Sequence, residues 1–355
     1  MKKYVIIALV ILAAVAFLIV PLFGNKITER ATFAFKDNIA VPIGSSAKLE
    51  ILPGQGIEKI ELRLGNDVIK TWEDVSGNVA YNLETKNMNL GAKQLIVRSF
   101  YGEDDFDNDR RMLRIVSDIK PTRLTAVIEK EYPHDPRNFT QGLEFYKGKL
   151  FEGTGDPGHT GQTKIGEIDL ETGTFKNDQF ISLDANYFGE GITILNDKLY
   201  QLTWQKGKCF VYDVNALDQI SISEEFTYLG EGWGLCNNGV SLIMSDGSEH
   251  ITFRNPETFE IEKTLNVYNH LGPIVSLNEL EWINGRIYAN IWQGDEIIVI
   301  DPTSGKVLER IDAIDIVING RGNGEVLNGI AYQAEENKLY LTGKNWPSLF
   351  EVSVQ

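Results

Sequence analysis

The sequence predicts an all-β protein: a five-bladed β-propeller over residues 123–355, preceded by a small immunoglobulin-like β-sandwich over 27–119 and an N-terminal transmembrane segment within 1–24. Three observations carry this reading. One strand–turn–strand pattern recurs five times toward the C-terminus, shorter alternating strands fill the stretch before it, and one long apolar run opens the chain.

The apolar run comes first in the chain. Lys2 and Lys3 precede uninterrupted apolar sequence from Val5 to Phe23, and about 19 such residues suffice to cross a bilayer as a helix. The run ends Leu18-Ile19-Val20-Pro21-Leu22-Phe23-Gly24, which lacks the small-x-small site of a cleaved signal. An uncleaved signal-anchor is therefore expected ahead of a cleaved signal peptide. The two lysines stay inside, which places the remaining domains in the periplasm or cell exterior.

The stretch after it alternates apolar and polar residues with the period of half-buried strands, as in Ala47-Lys48-Leu49-Glu50-Ile51, Ile60-Glu61-Leu62-Arg63-Leu64 and Gln94-Leu95-Ile96-Val97-Arg98-Ser99-Phe100. Six or seven such strands in roughly 90 residues suggest the sandwich. No catalytic cluster falls within it.

The repeats begin after Lys120-Pro121-Thr122. Residues 141–145, 190–194, 231–235, 278–282 and 328–332 align as a polar residue followed by an alternating strand. Each is followed by a turn: Lys147-Gly148, Asn196-Asp197, Asn237-Asn238-Gly239, Asn284-Gly285 and Glu336-Asn337. A second strand follows each turn and a third appears in most copies. A period of about 40–50 residues is that of a four-stranded propeller blade. The last copy ends after its third strand, so the missing outer strand is expected from residues 124–130, ahead of copy one.

Composition narrows the function classes. The formal net charge is −16, which gives no basic face for nucleic acid. The four histidines are scattered and form no close pair at zinc-ligand spacing, so neither a metal nor another cofactor is expected. Cys209 and Cys236 could pair in an exported protein or sit as buried thiols. Asn138-Phe139-Thr140 matches a glycosylation sequon and is read as coincidental.

Equivalent positions in a propeller's inner strands form rings around one channel mouth. The first ring is Gln141, Glu190, Glu231, Asn278 and Asn328, polar in every copy. The second holds Gly155, Trp204, Ser245, Trp292 and Lys344. Trp233, Phe139 and Phe188 flank the same mouth. Aromatic walls around a carboxyl, amides and a lysine suit a small amine and would favour a carboxyl of raised pKa.

These residues resemble the glutaminyl-peptide cyclotransferase family of the plant and bacterial type. The resemblance spans about residues 125–355. It is carried by Pro133-His134-Asp135-Pro136, Phe139-Thr140-Gln141-Gly142-Leu143, Phe188-Gly189-Glu190-Gly191, Gly230-Glu231-Gly232-Trp233-Gly234-Leu235, Leu277-Asn278-Glu279-Leu280-Glu281, Ala289-Asn290-Ile291-Trp292 and Thr342-Gly343-Lys344-Asn345-Trp346-Pro347. The resemblance implies a five-bladed propeller that converts N-terminal glutamine of peptides or proteins to pyroglutamate and releases ammonia. It implies Glu190, Lys344, Asn278 and Gln141 as catalytic residues. Trp204, Trp233 and Trp292 would bind the substrate, with Phe139 and Phe188 as walls. Two other readings stay open: a calcium-dependent, lactonase-like propeller hydrolase using the ring Glu190, Glu231, Asn278 and Asn328, and a non-catalytic binding propeller.

Overall fold

The computed structural model describes residues 29–102, 105–158, 163–215 and 222–355. The predicted transmembrane run lies outside the described residues. Among the described residues no helix is long and apolar enough to cross a membrane. The protein is all-β, with one short α-helix, Ile314–Gly320, among the described residues. The chain forms two compact units. The first comprises the described residues up to Val41, with Ser45–Thr85 and Ala92–Arg114; the second comprises Pro42–Gly44, Lys86–Gly91 and Ile115–Gln355.

The first unit contains a three-stranded sheet (Thr32–Phe33, Ser46–Leu52, Val79–Glu84) and most of a five-stranded sheet (Ile39–Pro42, Phe106–Val116, Gly91–Phe100, Lys59–Leu64, Asp67–Glu73, in spatial order). Alternation decides which side chains are buried. Leu49 and Ile51 on one sheet, with Ile60, Leu62, Leu95 and Val97 on the other, are fully buried. Glu50, Glu61 and Arg63 between them in sequence are more exposed.

The second unit contains a five-stranded sheet (here I), two four-stranded sheets (II and III) and an eight-stranded sheet whose two antiparallel halves (IV and V) meet at the strand Thr122–Pro133. Sheet I runs Phe139–Tyr146, Lys149–Gly155 and Lys164–Asp169, edged by Thr174–Phe175 and Ile181–Ser182. Sheets II, III and IV are four-stranded meanders beginning at Gly189, Leu235 and Leu277. Sheet V comprises Leu327–Gln333, Lys338–Gly343 and Ser348–Val354, and its fourth strand comes from before sheet I. That strand, Thr122–Pro133, pairs antiparallel with Ser348–Val354 from Val354↔Ala126 to Ser348↔Pro133. Its first residues, from Thr122 to Thr125, also pair in parallel with Val307–Asp312 of sheet IV.

The turns joining first and second strands have the backbone that their residues favour. Lys147 and Gly148 are both at positive φ, as are Asn196 with Asp197 and Asn284 with Gly285. Two successive left-handed residues make the tight turn whose twist matches a hairpin.

Five hydrophobic clusters fill the spaces between sheets, and each belongs to two consecutive ones. Ile165 and Phe151 of sheet I meet Ile192 and Phe210 of II. Tyr200 and Val211 of II meet Leu235 and Met244 of III. Ile243 and Ile251 of III meet Leu280 and Ile298 of IV. Ile297 and Val299 of IV meet Ile330 and Leu341 of V. Finally Tyr340 and Leu349 of V meet Leu143 and Leu150 of I. The sheets therefore follow one another in a closed cycle. Cys209 lies in the II–III cluster and Cys236 in the III–IV cluster, so the two thiols are buried in different cores and are free.

The helix was not expected from sequence. Its residues 314–318 are mostly β-branched and apolar and read locally as strand. Tertiary packing overrides that preference: Ile316 and Val317 are buried in the IV–V cluster beside Trp346 and Phe350.

Candidate active site

The first-ring residues owe their direction to breaks in strand register. In sheet I the pairing with the second strand skips Gln141; in II it skips Glu190 and Gly191. In IV it skips Asn278 and Glu279, and in V it skips Asn328 and Gly329. A bulge leaves its extra residue outside the ladder and re-aims the side chain. In sheet III the first strand starts only at Leu235, four residues after Glu231, and Gly234 lies against the backbone of sheet IV. A Cβ on Gly234 would lie 2.0 Å from the Asn278 carbonyl oxygen, so only glycine fits there.

Phe139, Gln141, Phe188, Glu190, Trp204, Trp233, Asn278, Trp292 and Lys344, drawn from all five repeats, line one cavity of about 410 Å³ together with Pro157 and Glu325. Gln141, Glu190, Asn278 and Lys344 are buried. Trp292 is 43% exposed, while Pro157 and Glu325 are also exposed. The cavity thus has a polar floor and an open rim.

Its wall is a continuous aromatic belt. The Lys344 Nζ sits 4.7 Å above the Phe139 ring. Phe139 meets Phe188 edge to face at 6.1 Å, and Phe188 meets Trp204 at 5.7 Å. Trp233 meets Trp292 edge to face at 5.8 Å. Glu231 joins the two halves: its Oε2 accepts the Trp204 Nε1–H at 2.8 Å and the Trp233 Nε1–H at 2.9 Å. Burial alone would raise the pKa of Glu231, but the donors from Trp233, Gln205 and Trp204 outweigh it and hold the carboxyl below its usual value.

Gly155 keeps the belt intact. A Cβ there would approach Phe188 Cε1 to 2.4 Å and Phe139 Cδ1 to 3.1 Å. Its place in the second ring is therefore occupied by the two phenyl rings.

The floor carries the unusual electrostatics. Burial pushes the Glu190 carboxyl well above the ordinary range; the Lys344 charge pulls it down in part and the Glu231 charge adds to the rise. Burial lowers the pKa of Lys344, against the opposing pull of Glu190 and Glu325. Among the described residues neither side chain closes an ion pair or hydrogen bond with another side chain. The Oδ1 of Asn278 is likewise buried with no hydrogen-bond partner. Three polar groups with incomplete coordination thus face one hollow, which is an arrangement a polar ligand would complete.

Other residues singled out in the sequence are structural. Asn328 is fully buried and donates to the Thr140 carbonyl at 2.9 Å, joining sheet V to sheet I. Ser245 Oγ donates to the Asn278 carbonyl at 2.7 Å and accepts the Gly234 N–H at 2.8 Å. Glu279 and Glu281 are staples: Glu279 accepts the Ile330 N–H at 2.9 Å and the Leu143 N–H at 3.4 Å, and Glu281 accepts the Tyr332 N–H at 2.9 Å. Asn138 is buried, with its Nδ2 donating to Glu152 at 2.7 Å, so the sequon's acceptor nitrogen is engaged in the fold. A larger hollow of about 540 Å³ farther along the first strands is lined by Glu144, Asn237 and Glu281. Its buried carboxylates are already held by the Ile194 and Tyr332 amides, so the smaller cavity is the better candidate. Among the described residues no group of His, Cys, Asp and Glu side chains could hold a metal ion.

Sequence reading missed Glu325 and Pro157, which lie outside the repeat positions, and the bridging part played by Glu231. Glu231 and Trp233 are two residues apart and their side chains hydrogen bond directly, a local signal that could have been noticed.

The chain is 36% identical over 232 residues to a glutaminyl-peptide cyclotransferase of Arabidopsis thaliana, covering 63% of this chain and 70% of that one. It is similar to the crystal structure of Myxococcus xanthus glutaminyl cyclase, with a TM-score of 0.61 and 38% identity over 66% of this chain and 99% of that one. A model of the glutamine cyclotransferase family matches residues 110–354, and with more than half of its length so matched the chain belongs to that family.

Proposed function

We infer that this protein is a glutaminyl-peptide cyclotransferase, an acyltransferase that closes the N-terminal glutamine of a peptide or protein to pyroglutamate and releases ammonia. The observation that carries the reading is the floor of the cavity. A buried carboxyl and a buried lysine, neither forming an ion pair or hydrogen bond with another side chain among the described residues, lie inside an aromatic belt in a chain of this family.

The substrate supplies its own nucleophile. Its α-amine attacks the side-chain amide carbon, a C–N bond forms in the new five-membered ring, and the C–N bond to the amide nitrogen breaks. Folding one side chain back converts a bimolecular step into an intramolecular one, and proximity supplies much of the rate. Glu190 takes the proton that the α-amine loses and returns it to the departing nitrogen, which leaves as ammonia. A carboxyl with a raised pKa is suited to both halves of that transfer. Lys344, Asn278 and Gln141 orient the amide and stabilise the oxyanion that develops on its oxygen. Trp204, Trp233 and Trp292, with Phe139 and Phe188, clamp the compact side chain and keep out water that would give glutamate instead.

The same reading extends to the architecture. Five sheets in a closed cycle with clusters between each consecutive pair support a five-bladed propeller for residues 123–355. Two sheets with alternating buried residues support an immunoglobulin-like sandwich for residues 27–119. The apolar run from Val5 to Phe23 supports a membrane anchor with the domains on the periplasmic or outer side.

The test is ammonia release from a glutamine-initiated dipeptide, with and without a chelator. Release that is indifferent to the chelator is expected. Loss of turnover on chelation would favour a metal-dependent hydrolase, and tight binding without release would favour a binding module.

A further inference from the structure

The cavity has one charged group on its rim among the described residues that line it, and that group is Glu325. Its backbone is fixed. The Glu325 N–H donates to the Lys344 carbonyl at 2.7 Å, the Lys344 N–H donates to the Val326 carbonyl at 3.0 Å, and the Trp346 Nε1–H donates to the Glu325 carbonyl at 3.1 Å. Trp346 is itself a fully buried core residue. A Cβ on the preceding residue, Gly324, would lie 2.6 Å from the Asn345 carbonyl oxygen, so the two segments are in close contact. The exposed carboxylate is thus mounted on rigid backbone beside the floor lysine, and nothing in the cyclisation chemistry uses it.

The geometry of the reaction says what passes this point. Gln141, Glu190 and Asn278 are buried at the floor, so the reacting amine and amide lie deep. The peptide continues outward past the exposed members of the lining, Trp292, Pro157 and Glu325. The second residue's Cα is about 3.8 Å from that of the glutamine, which brings its side chain to the rim. We propose that Glu325 is a specificity-determining residue for the substrate's second position, favouring cationic and disfavouring anionic side chains there. This rests on the cyclotransferase reading of the same cavity.

The experiment compares kcat/KM for dipeptide amides with N-terminal glutamine and lysine, alanine or glutamate second, at low and high salt. Attraction across a solvated rim is worth about fivefold between lysine and alanine at low salt, and it shrinks as salt screens it. In Glu325→Gln the lysine-to-alanine ratio is expected to fall toward one, and in Glu325→Lys it is expected to fall below one while the glutamate-to-alanine ratio rises above one. A ratio that stays within twofold of wild type in both variants overturns the proposal. So does an equal loss on all three substrates, which would assign Glu325 to positioning Lys344. Failure of the wild type to release ammonia from any of the three would instead remove the cyclotransferase reading itself.

Discussion

Glu190 and Lys344 face the same cavity from sheets II and V, each 5% exposed, and each is pushed by burial toward its neutral form. A free energy of this kind persists in a fold when a ligand recovers it. Glu190→Gln keeps the shape and removes the proposed proton carrier. Its kcat is expected to fall by about 10²–10⁴, while its melting temperature stays at or above that of wild type because a desolvated carboxyl has gone. Ammonia release and calorimetry on the same sample check both halves.

Lys344 also tunes Glu190. Its positive charge lowers the Glu190 pKa, so removing it raises that pKa further. The acid limb of the kcat/KM profile reports the loss of the ionised base as pH falls through the folded pKa. In Lys344→Met that limb is expected to move to higher pH, along with a loss of about 10²–10³ in kcat from removal of the proposed oxyanion partner. An acid limb that does not move would separate the two groups electrostatically.

Glu231 holds both the Trp204 and the Trp233 indoles. Glu231→Ala frees them and leaves two N–H groups without their acceptor. Substrate binding should suffer more than chemistry, with KM rising about tenfold for a loss near 1.4 kcal/mol. Glu231→Gln, which keeps one acceptor oxygen, is expected to lie between. Steady-state kinetics of the three proteins check the order.

Gly155→Ala places a methyl group within 2.4 Å of Phe188. Overpacking of this kind costs about 1–3 kcal/mol, and here the displaced ring is part of the cavity wall. Lower stability and a raised KM are expected together, read from denaturant unfolding and kinetics.

Glu144 and Glu281 contribute to the pH dependence of stability. Burial pushes Glu144 up to about 8, and burial together with the Glu144 charge raises Glu281 well above its ordinary value. A carboxyl whose folded pKa exceeds its unfolded one stabilises fully below the unfolded value, and that contribution is lost as pH rises through the folded value. The melting temperature is therefore expected to fall as pH rises from the ordinary carboxyl value, about 4.5, to the raised one, about 8. Glu281→Gln, which keeps an acceptor for the Tyr332 amide, should flatten the decline. A melting temperature that climbs over this range would contradict the assignment.

Much of this was legible in the sequence because repetition converts weak local signals into strong ones. A single Asn284-Gly285 turn says little, but five turns at blade spacing place five hairpins. Reading equivalent positions across copies then brought Trp204, Trp292 and Lys344 to one place, and the cavity lining includes all three. What the repeat could not convey was how each position is used. Glu231 and Glu190 occupy the same repeat position, yet one binds two indoles and the other forms no side-chain hydrogen bond or ion pair among the described residues. Asn278 and Asn328 are also equivalent, but Asn328 is spent on a bond to sheet I. These differences arise from the neighbouring repeat, which no alignment of the copies reveals. Glu325 sits in a connection outside the repeat and had no counterpart to compare. The short helix was hidden by its own β-branched residues.

The central claim is that the substrate's amine, and not water, displaces ammonia. The reaction of a glutamine-initiated peptide in water enriched with heavy oxygen, followed by mass analysis of the product, tests it most directly. The account predicts ammonia and a pyroglutamyl peptide carrying no heavy oxygen. A glutamyl product labelled from solvent, or an unchanged peptide, would contradict it.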